Sequence, residues 1–269
     1  MNLRGTSASF YKKVIKTIFL HYGFKISRIY PEQNLFTKIK NRLSRYYNET
    51  TDPYVNLYKE ALNRTGSVDS FEKQARFYIL YQMVNRIFTH GIPGHVAECG
   101  CFRGHSTYII ASLLKTQRFM NSFYIFDSFE HGLSDKRPED RSETGNTSPE
   151  ETLRQKVYFS SSCQEVSQLL APFSFVKIYN GWIPDIFGHT GLKEEETFSL
   201  VHIDVDLYEP TKQSLQFFFS RMAPGGMILI DDYGYSQFPG AKKAVDEFLE
   251  NKIVTMTIEN HLGGYLIIV

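Results

Sequence analysis

Four aspartates carry the most chemistry in the chain: Asp204 and Asp206 in VHIDVDLY, and Asp231 and Asp232 in ILIDDYG. Each pair closes a short apolar run, FSLVHID (198–204) and MILIDD (227–232), that reads as a buried strand. Carboxylates at neighbouring strand ends on one edge of a parallel sheet converge, and they repel one another unless a cation lies between them. Oxygen-only ligands suit Mg2+, Mn2+ or Ca2+. Asp204, Asp231 and Asp232 are therefore candidate metal ligands. One aspartate at a strand end is explained by a helix cap; four at two such ends are not. Asp206 is the candidate proton acceptor, with the exchange of roles between Asp204 and Asp206 left open.

A second group of residues suits a cofactor. Glu98-x-Gly100-x-x-x-Gly104-x-Ser106 lies where a strand, HVAEC (95–99), gives way to a helix. Glycines let the backbone turn tightly and approach a ligand, and Ser106 is placed to cap the helix start and reach an anionic carboxylate. The strand SFYIFD (122–127) ends in Asp127-Ser128, with an acid where ribose hydroxyls are accepted. After FVKIYN (175–180), Gly181-Trp182 offers either a packing surface for an adenine or a half-buried core ring. Together these residues indicate a nucleoside-containing cofactor. The glycine spacing differs from G-x-G-x-x-G, and a metal corner has no role in hydride transfer, which weighs against an NAD-dependent dehydrogenase. A non-catalytic cofactor-binding subunit would gain nothing from the carboxylate cluster.

The elements that must position these residues follow from periodicity. Phe71, Phe77, Leu80, Met83, Val84 and Ile87 recur at about 3.6 residues and predict a helix from Ser70 to about His90. Beyond it, strands alternate with helices at 106–117, 210–221 and 240–251, which implies a parallel sheet covered on both faces. The chain closes on IVTMTI and GYLIIV around His261-Leu262-Gly263-Gly264, a hairpin signal. The expected fold is thus α/β and Rossmann-like: a mostly parallel seven-stranded sheet with a C-terminal antiparallel hairpin, as in class I methyltransferases. Residues 70–269 would form this domain. Residues 1–69 read as an N-terminal helical or irregular extension, with an amphipathic helix at 8–22 and irregular or weakly helical chain over 30–69. The first helix suits packing on its own domain or on a second subunit, consistent with a homo-oligomer; peripheral membrane contact is the alternative. The polar stretch 133–153 follows a strand end and reads as a lid.

Composition excludes several classes. A net charge of +1 offers nothing to nucleic acid. No apolar run approaches the roughly 20 residues of a spanning helix. Cys99, Cys101 and Cys163 form neither a disulfide framework nor a zinc spacing and read as free thiols of a cytoplasmic protein. The 22 Phe and 17 Tyr read as core filling. His202 reads as a packed core residue, and Tyr208 and Tyr233 as pocket walls or supports of the sheet edge.

The segments VAECGCFRGHST, IFDSFEHGL, VHIDVDLYEPTKQSL and APGGMILIDDYGYSQFPGAKKAVDEF resemble the macrocin O-methyltransferase family over roughly residues 70–250. The resemblance implies an S-adenosylmethionine-dependent, metal-dependent O-methyltransferase acting on a sugar or glycan-linked hydroxyl. Glu98, Gly100, Gly104, Ser106, Asp127 and Ser128 would line the cofactor site; Asp204, Asp231 and Asp232 would hold Mg2+ or Mn2+. A metal lowers the pKa of an acceptor hydroxyl and orients it for in-line transfer. The same chemistry serves a catechol or other phenol. DSFEHGLS departs from the family's DSFEGLP-like segment at His131.

Overall fold

A run of five strands rich in Val, Ile and Phe builds the centre of the computed structural model, which describes residues 53–141, 148–259 and 264–269. Helix α1 (Pro53–Thr65) and helix α2 (Phe71–Thr89) precede strand β1 (His95–Cys99) and helix α3 (His105–Thr116). Strand β2 (Phe123–Asp127) leads through two short 3-10 turns to helices α4 (Pro149–Tyr158) and α5 (Cys163–Leu170). Then follow β3 (Val176–Asn180), β4 (Phe198–Ile203), α6 (Tyr208–Phe219), β5 (Met222–Ile230), α7 (Pro239–Leu249), β6 (Met256–Glu259) and β7 (Tyr265–Ile268). All described residues fall in one compact unit, Thr51–Val269.

The sheet has seven strands in the order β3-β2-β1-β4-β5-β7-β6. β1 to β5 pair in parallel, and β7 runs antiparallel to both β5 and β6. This is the α/β architecture expected. β4 is buried at every position, as a strand covered on both faces must be. Phenylalanines fill the space behind it: Phe218 meets Phe198 edge-on at 4.9 Å and Phe187 at 5.4 Å. Burying one such side chain contributes roughly 1.5–3 kcal/mol.

The residues 30–69 differ in part from their irregular or weakly helical reading. Among those described, Pro53–Thr65 is a 13-residue helix that buries Tyr54, Val55, Tyr58 and Ala61. Its tyrosines find partners, Tyr54 donating to the Gln74 carbonyl and Tyr58 to Asp69 at 2.6 Å, so burial of polar rings is compensated. The helix predicted at 8–22 lies outside the described residues. Within 133–153, Pro138–Asp140 forms a 3-10 turn and α4 begins at Pro149, capped by Ser148. No helix among the described residues is long and apolar enough to cross a membrane. The three cysteines are unpaired.

Candidate functional site

The parallel ladder continues one residue past each strand and draws the acids together. Gly100 N–H donates to Phe126 O, Asp204 N–H to Cys99 O and Asp231 N–H to Ile203 O, at 2.8, 2.8 and 2.9 Å. Carboxylate oxygens of Asp204, Asp231 and Asp232 consequently lie within 4.8 Å of one another. Asp206 joins them through a tight turn: Leu207 N–H donates to Val205 O at 2.6 Å across Asp206, whose φ is +61°. Such γ-turns are rare and strained, and strain of this kind gathers at functional sites. The Asp206 N–H donates to Asp232 Oδ2 at 3.2 Å, tying the two pairs together.

Burial pushes the pKa of Asp204 up to about 7, and the neighbouring Asp231 carboxylate adds to the shift. Burial and adjacent carboxylates also hold Asp206 and Asp232 well above the usual range. Asp231 behaves oppositely: burial raises it, but Arg76 and His202 overcome that and leave it lowered. Arg76 Nη1 lies 2.8 Å from Asp231 Oδ2. His202 is buried, with Nδ1 2.9 Å from Glu98 Oε1 and Nε2 4.0 Å from Asp231 Oδ1, too long for a hydrogen bond. Burial alone would lower its pKa, but the two carboxylates lift it to about 10. When ionised, the five carboxylates of Glu98, Asp204, Asp206, Asp231 and Asp232 outnumber the cations Arg76, Lys73 and a charged His202, leaving an excess of negative charge. Hard oxygen donors, convergence and uncompensated charge all fit a divalent cation.

The cofactor-end residues are gathered at the adjoining strand ends, and their side chains have specific tasks. Gly100, at φ +82°, packs so closely that a Cβ there would stand 1.8 Å from the Asp204 carbonyl oxygen. Gly104, at φ +83°, is itself the N-cap of α3, with no side-chain cap. Ser106 therefore does not cap the helix: it sits in the first turn, because the left-handed glycine already reverses the chain. Glu98 is fully buried, with Oε2 accepting from Thr107 Oγ1 at 2.5 Å, so both its oxygens are engaged inside the protein. Asp127 Oδ2 accepts from the N–H groups of Cys101 and Phe102 at 2.6 and 2.9 Å, and Oδ1 from Phe129 N–H at 2.7 Å. It straps the glycine turn to β2. Ser128 Oγ donates to Gly132 O at 2.6 Å. Gly181 N–H donates to Asp127 O at 2.9 Å, and the half-exposed Trp182 lies 5.8 Å from the His131 ring.

Arg76 and Asp140 were not singled out by the sequence reading. Asp140 is buried; Oδ1 accepts from Tyr208 N–H at 2.6 Å and Oδ2 from Arg137 N–H at 2.9 Å. It caps α6, whose own N-cap is Leu207, from 68 residues away. It fits because Gly240 has no Cβ, which would stand 1.9 Å from Oδ1. Tyr208 and Tyr233 bond to Glu247 and Asp246 of α7, so both support the sheet edge.

A glycine turn, an acid after β2 and acids after β4 and β5, all at one end of a Rossmann-like sheet, define the class I methyltransferase architecture. The family model described as macrocin O-methyltransferase matches residues 31–262, and the chain belongs to that family. Demethyldecarbamoylnovobiocin O-methyltransferase of Streptomyces niveus is 25% identical over 174 residues, 62% of each chain. The 8-demethyl-8-(2,3-dimethoxy-alpha-L-rhamnosyl)-tetracenomycin-C 4'-O-methyltransferase of Streptomyces olivaceus is 27% identical over 164 residues, 57% of this chain and 58% of that one. The chain thus spans less than two thirds of these relatives' length. The crystal structure of CalS11, a calicheamicin methyltransferase, superposes with a TM-score of 0.60 at 18% identity, over 90% of this chain and 94% of that one; this likeness is one of fold.

Proposed function

We propose that the chain is an S-adenosylmethionine-dependent O-methyltransferase that uses a divalent cation and acts on a hydroxyl of a sugar or glycan-linked acceptor. Membership of the macrocin O-methyltransferase family and the sugar-bearing acceptors named for its relatives support the reaction and the acceptor class. The observation that carries the metal is the convergence of Asp204, Asp231 and Asp232 oxygens within 4.8 Å in a corner with excess negative charge.

S-adenosylmethionine, when bound, supplies an electrophilic methyl group. Asp204, Asp231 and Asp232 would hold the cation, which would lower the pKa of the acceptor hydroxyl. The chain's own residues do the rest. Arg76 engages Asp231 Oδ2 and the Glu98–His202 pair stands behind Oδ1, so the orientation of that carboxylate is set before anything binds. Gly100, in contact with the Asp204 carbonyl, holds the cofactor turn at a fixed distance from the acid corner. Asp206, outside the converging trio but tied to it by its N–H on Asp232 Oδ2, is the proposed proton acceptor. The polar stretch 133–153, anchored by Asp140, serves as the lid.

Calorimetry with S-adenosylmethionine, with and without Mg2+, tests this reading; absence of cofactor binding under both conditions refutes it. Comparing Asp204→Asn with Asp206→Asn separates metal ligand from proton acceptor. The former weakens Mn2+ binding, whereas the latter lowers kcat at unchanged Mn2+ affinity.

A further inference from the structure

The turn that carries Asp206 is braced on both sides by a carboxylate. The Asp206 N–H donates to Asp232 Oδ2 at 3.2 Å, and two residues on the Tyr208 N–H donates to Asp140 Oδ1 at 2.6 Å. Between these anchors Asp206 holds φ +61°, and Leu207 N–H reaches back to Val205 O at 2.6 Å. An aspartate stays in this left-handed region only where its surroundings over-determine it. The local sequence does not do so: Leu207, the N-cap of α6, offers no side-chain cap.

Asp140 reaches this turn from the segment between β2 and α4, and it sits in a notch on α7. Gly240 makes the notch: a Cβ there would stand 1.9 Å from Asp140 Oδ1, 2.8 Å from Tyr208 N and 2.9 Å from Tyr208 Cβ. The seat is secured on each side. Asp140 Oδ2 accepts from Arg137 N–H at 2.9 Å, Arg137 Nη1 lies 2.9 Å from Glu209 Oε2 on α6, and Lys243 Nζ on α7 lies 3.5 Å from Glu139 Oε1. Asp140 itself is buried. Burial raises the pKa of both Asp140 and Asp206, and the Lys136 ammonium opposes that at each, so one cation of this segment serves the seat and the acid corner together.

We propose that Asp140 is a positioning residue for the acid corner: seated at Gly240, it holds the Asp206 turn in its strained form and so keeps Asp204 and Asp232 in register for a divalent cation. The inference rests on the metal reading and deepens it. Asp204 stands two residues before Asp206, and Asp232 accepts the Asp206 N–H, so relaxation of the turn shifts one metal ligand and releases the other. A cap at position 207 would satisfy the Tyr208 N–H but would travel with its own helix. An acid borrowed from 68 residues away fixes the start of α6 in space. Partners that orient metal ligands from behind are typically worth roughly 10–100-fold in metal affinity.

The test is titration of the full chain with Mn2+, followed by electron paramagnetic resonance at a temperature where circular dichroism shows each variant folded. The wild type is expected to bind Mn2+, and Asp204→Asn to bind it more weakly. Asp140→Ala weakens binding about tenfold. Gly240→Ala, which leaves the Asp140 carboxylate intact but fills its seat, does the same; if that variant does not fold, the Asp140 variants decide alone. Asp140→Asn keeps an accepting oxygen and retains most of the affinity. Ser162→Ala strips α5 of its side-chain cap, a comparable loss on another helix, and leaves Mn2+ affinity unchanged. A wild type that binds no Mn2+, or that binds it no better than Asp204→Asn, overturns the metal reading and this inference with it. With that reading intact, wild-type affinity in Asp140→Ala or in folded Gly240→Ala, no recovery in Asp140→Asn, or an equal loss in Ser162→Ala overturns the positioning role alone.

Discussion

Replacing Gly100 with alanine tests whether the cofactor turn and the acid corner are mechanically joined. The added Cβ would stand 1.8 Å from the Asp204 carbonyl oxygen, 2.8 Å from its carbon and 3.3 Å from Val205 Cγ1. Two costs add. Holding an alanine at φ +82° costs roughly 1–2 kcal/mol. Relieving contact with a rigid backbone, as in overpacked cores, costs roughly 1–3 kcal/mol more. A total near 4 kcal/mol is a large part of the roughly 5–15 kcal/mol that holds a domain folded, and lowers Tm by about 8–16 °C. Gly66 is the control: its φ is +57°, but nothing lies within 4 Å of its Cβ direction. Gly66→Ala therefore meets only the backbone term and loses about 2–8 °C. Thermal unfolding by circular dichroism reads both, and calorimetry reads whether Gly100→Ala also weakens Mn2+ binding as Asp204 is displaced. Equal losses of Tm in the two variants would refute the contact.

Asp231→Asn should abolish turnover while cofactor affinity, measured by calorimetry, stays within a few-fold; full activity removes the metal corner from the mechanism. Asp140→Ala strips α6 of its borrowed cap and leaves the buried Tyr208 N–H unpaired, a loss of about 2–3 kcal/mol in denaturant unfolding. Asp140→Asn, which keeps an accepting oxygen, should recover part of that loss, and equal destabilisation by both variants contradicts the capping role. The pH dependence has a defined sign. Asp204 is raised from 3.8 to about 7 in the folded protein, with Asp206 and Asp232 raised as well, so the folded state binds more protons than the unfolded one. The associated stability is present below about pH 4 and is lost as pH climbs through about 7. Chelator-treated protein should melt lower at pH 8 than at pH 5, with Mg2+ abolishing the difference; a melting temperature that rises over this range contradicts the acid cluster.

Much of the carboxylate-bearing end was legible in the sequence because its determinants are local. Apolar runs of five or six residues, each closed by an acid or a glycine, define the central strands and where they stop. Once parallel pairing is inferred from the alternation of strand and helix, residues ending adjacent strands become neighbours, which is why Asp204, Asp231 and Asp232 could be grouped. The helix Pro53–Thr65 was harder to read, since its buried face is largely tyrosine and depends on partners at Asp69 and Gln74.

What each carboxylate does was decided only by tertiary structure. Residue type marks Asp127 as a cofactor ligand, but its oxygens strap three backbone amides, because the glycine turn folds back onto β2. Glu98 was grouped with the cofactor residues, yet its carboxylate is turned inward between Thr107 and His202. Arg76 reaches Asp231 from a helix laid across the sheet, and Asp140 caps a helix that starts 68 residues later. Spacing along the chain determined which residues end at the same edge. Packing of distant segments in a low-dielectric interior determined which of those charges are paired, which are strained, and which remain in excess, as the proposed cation site requires.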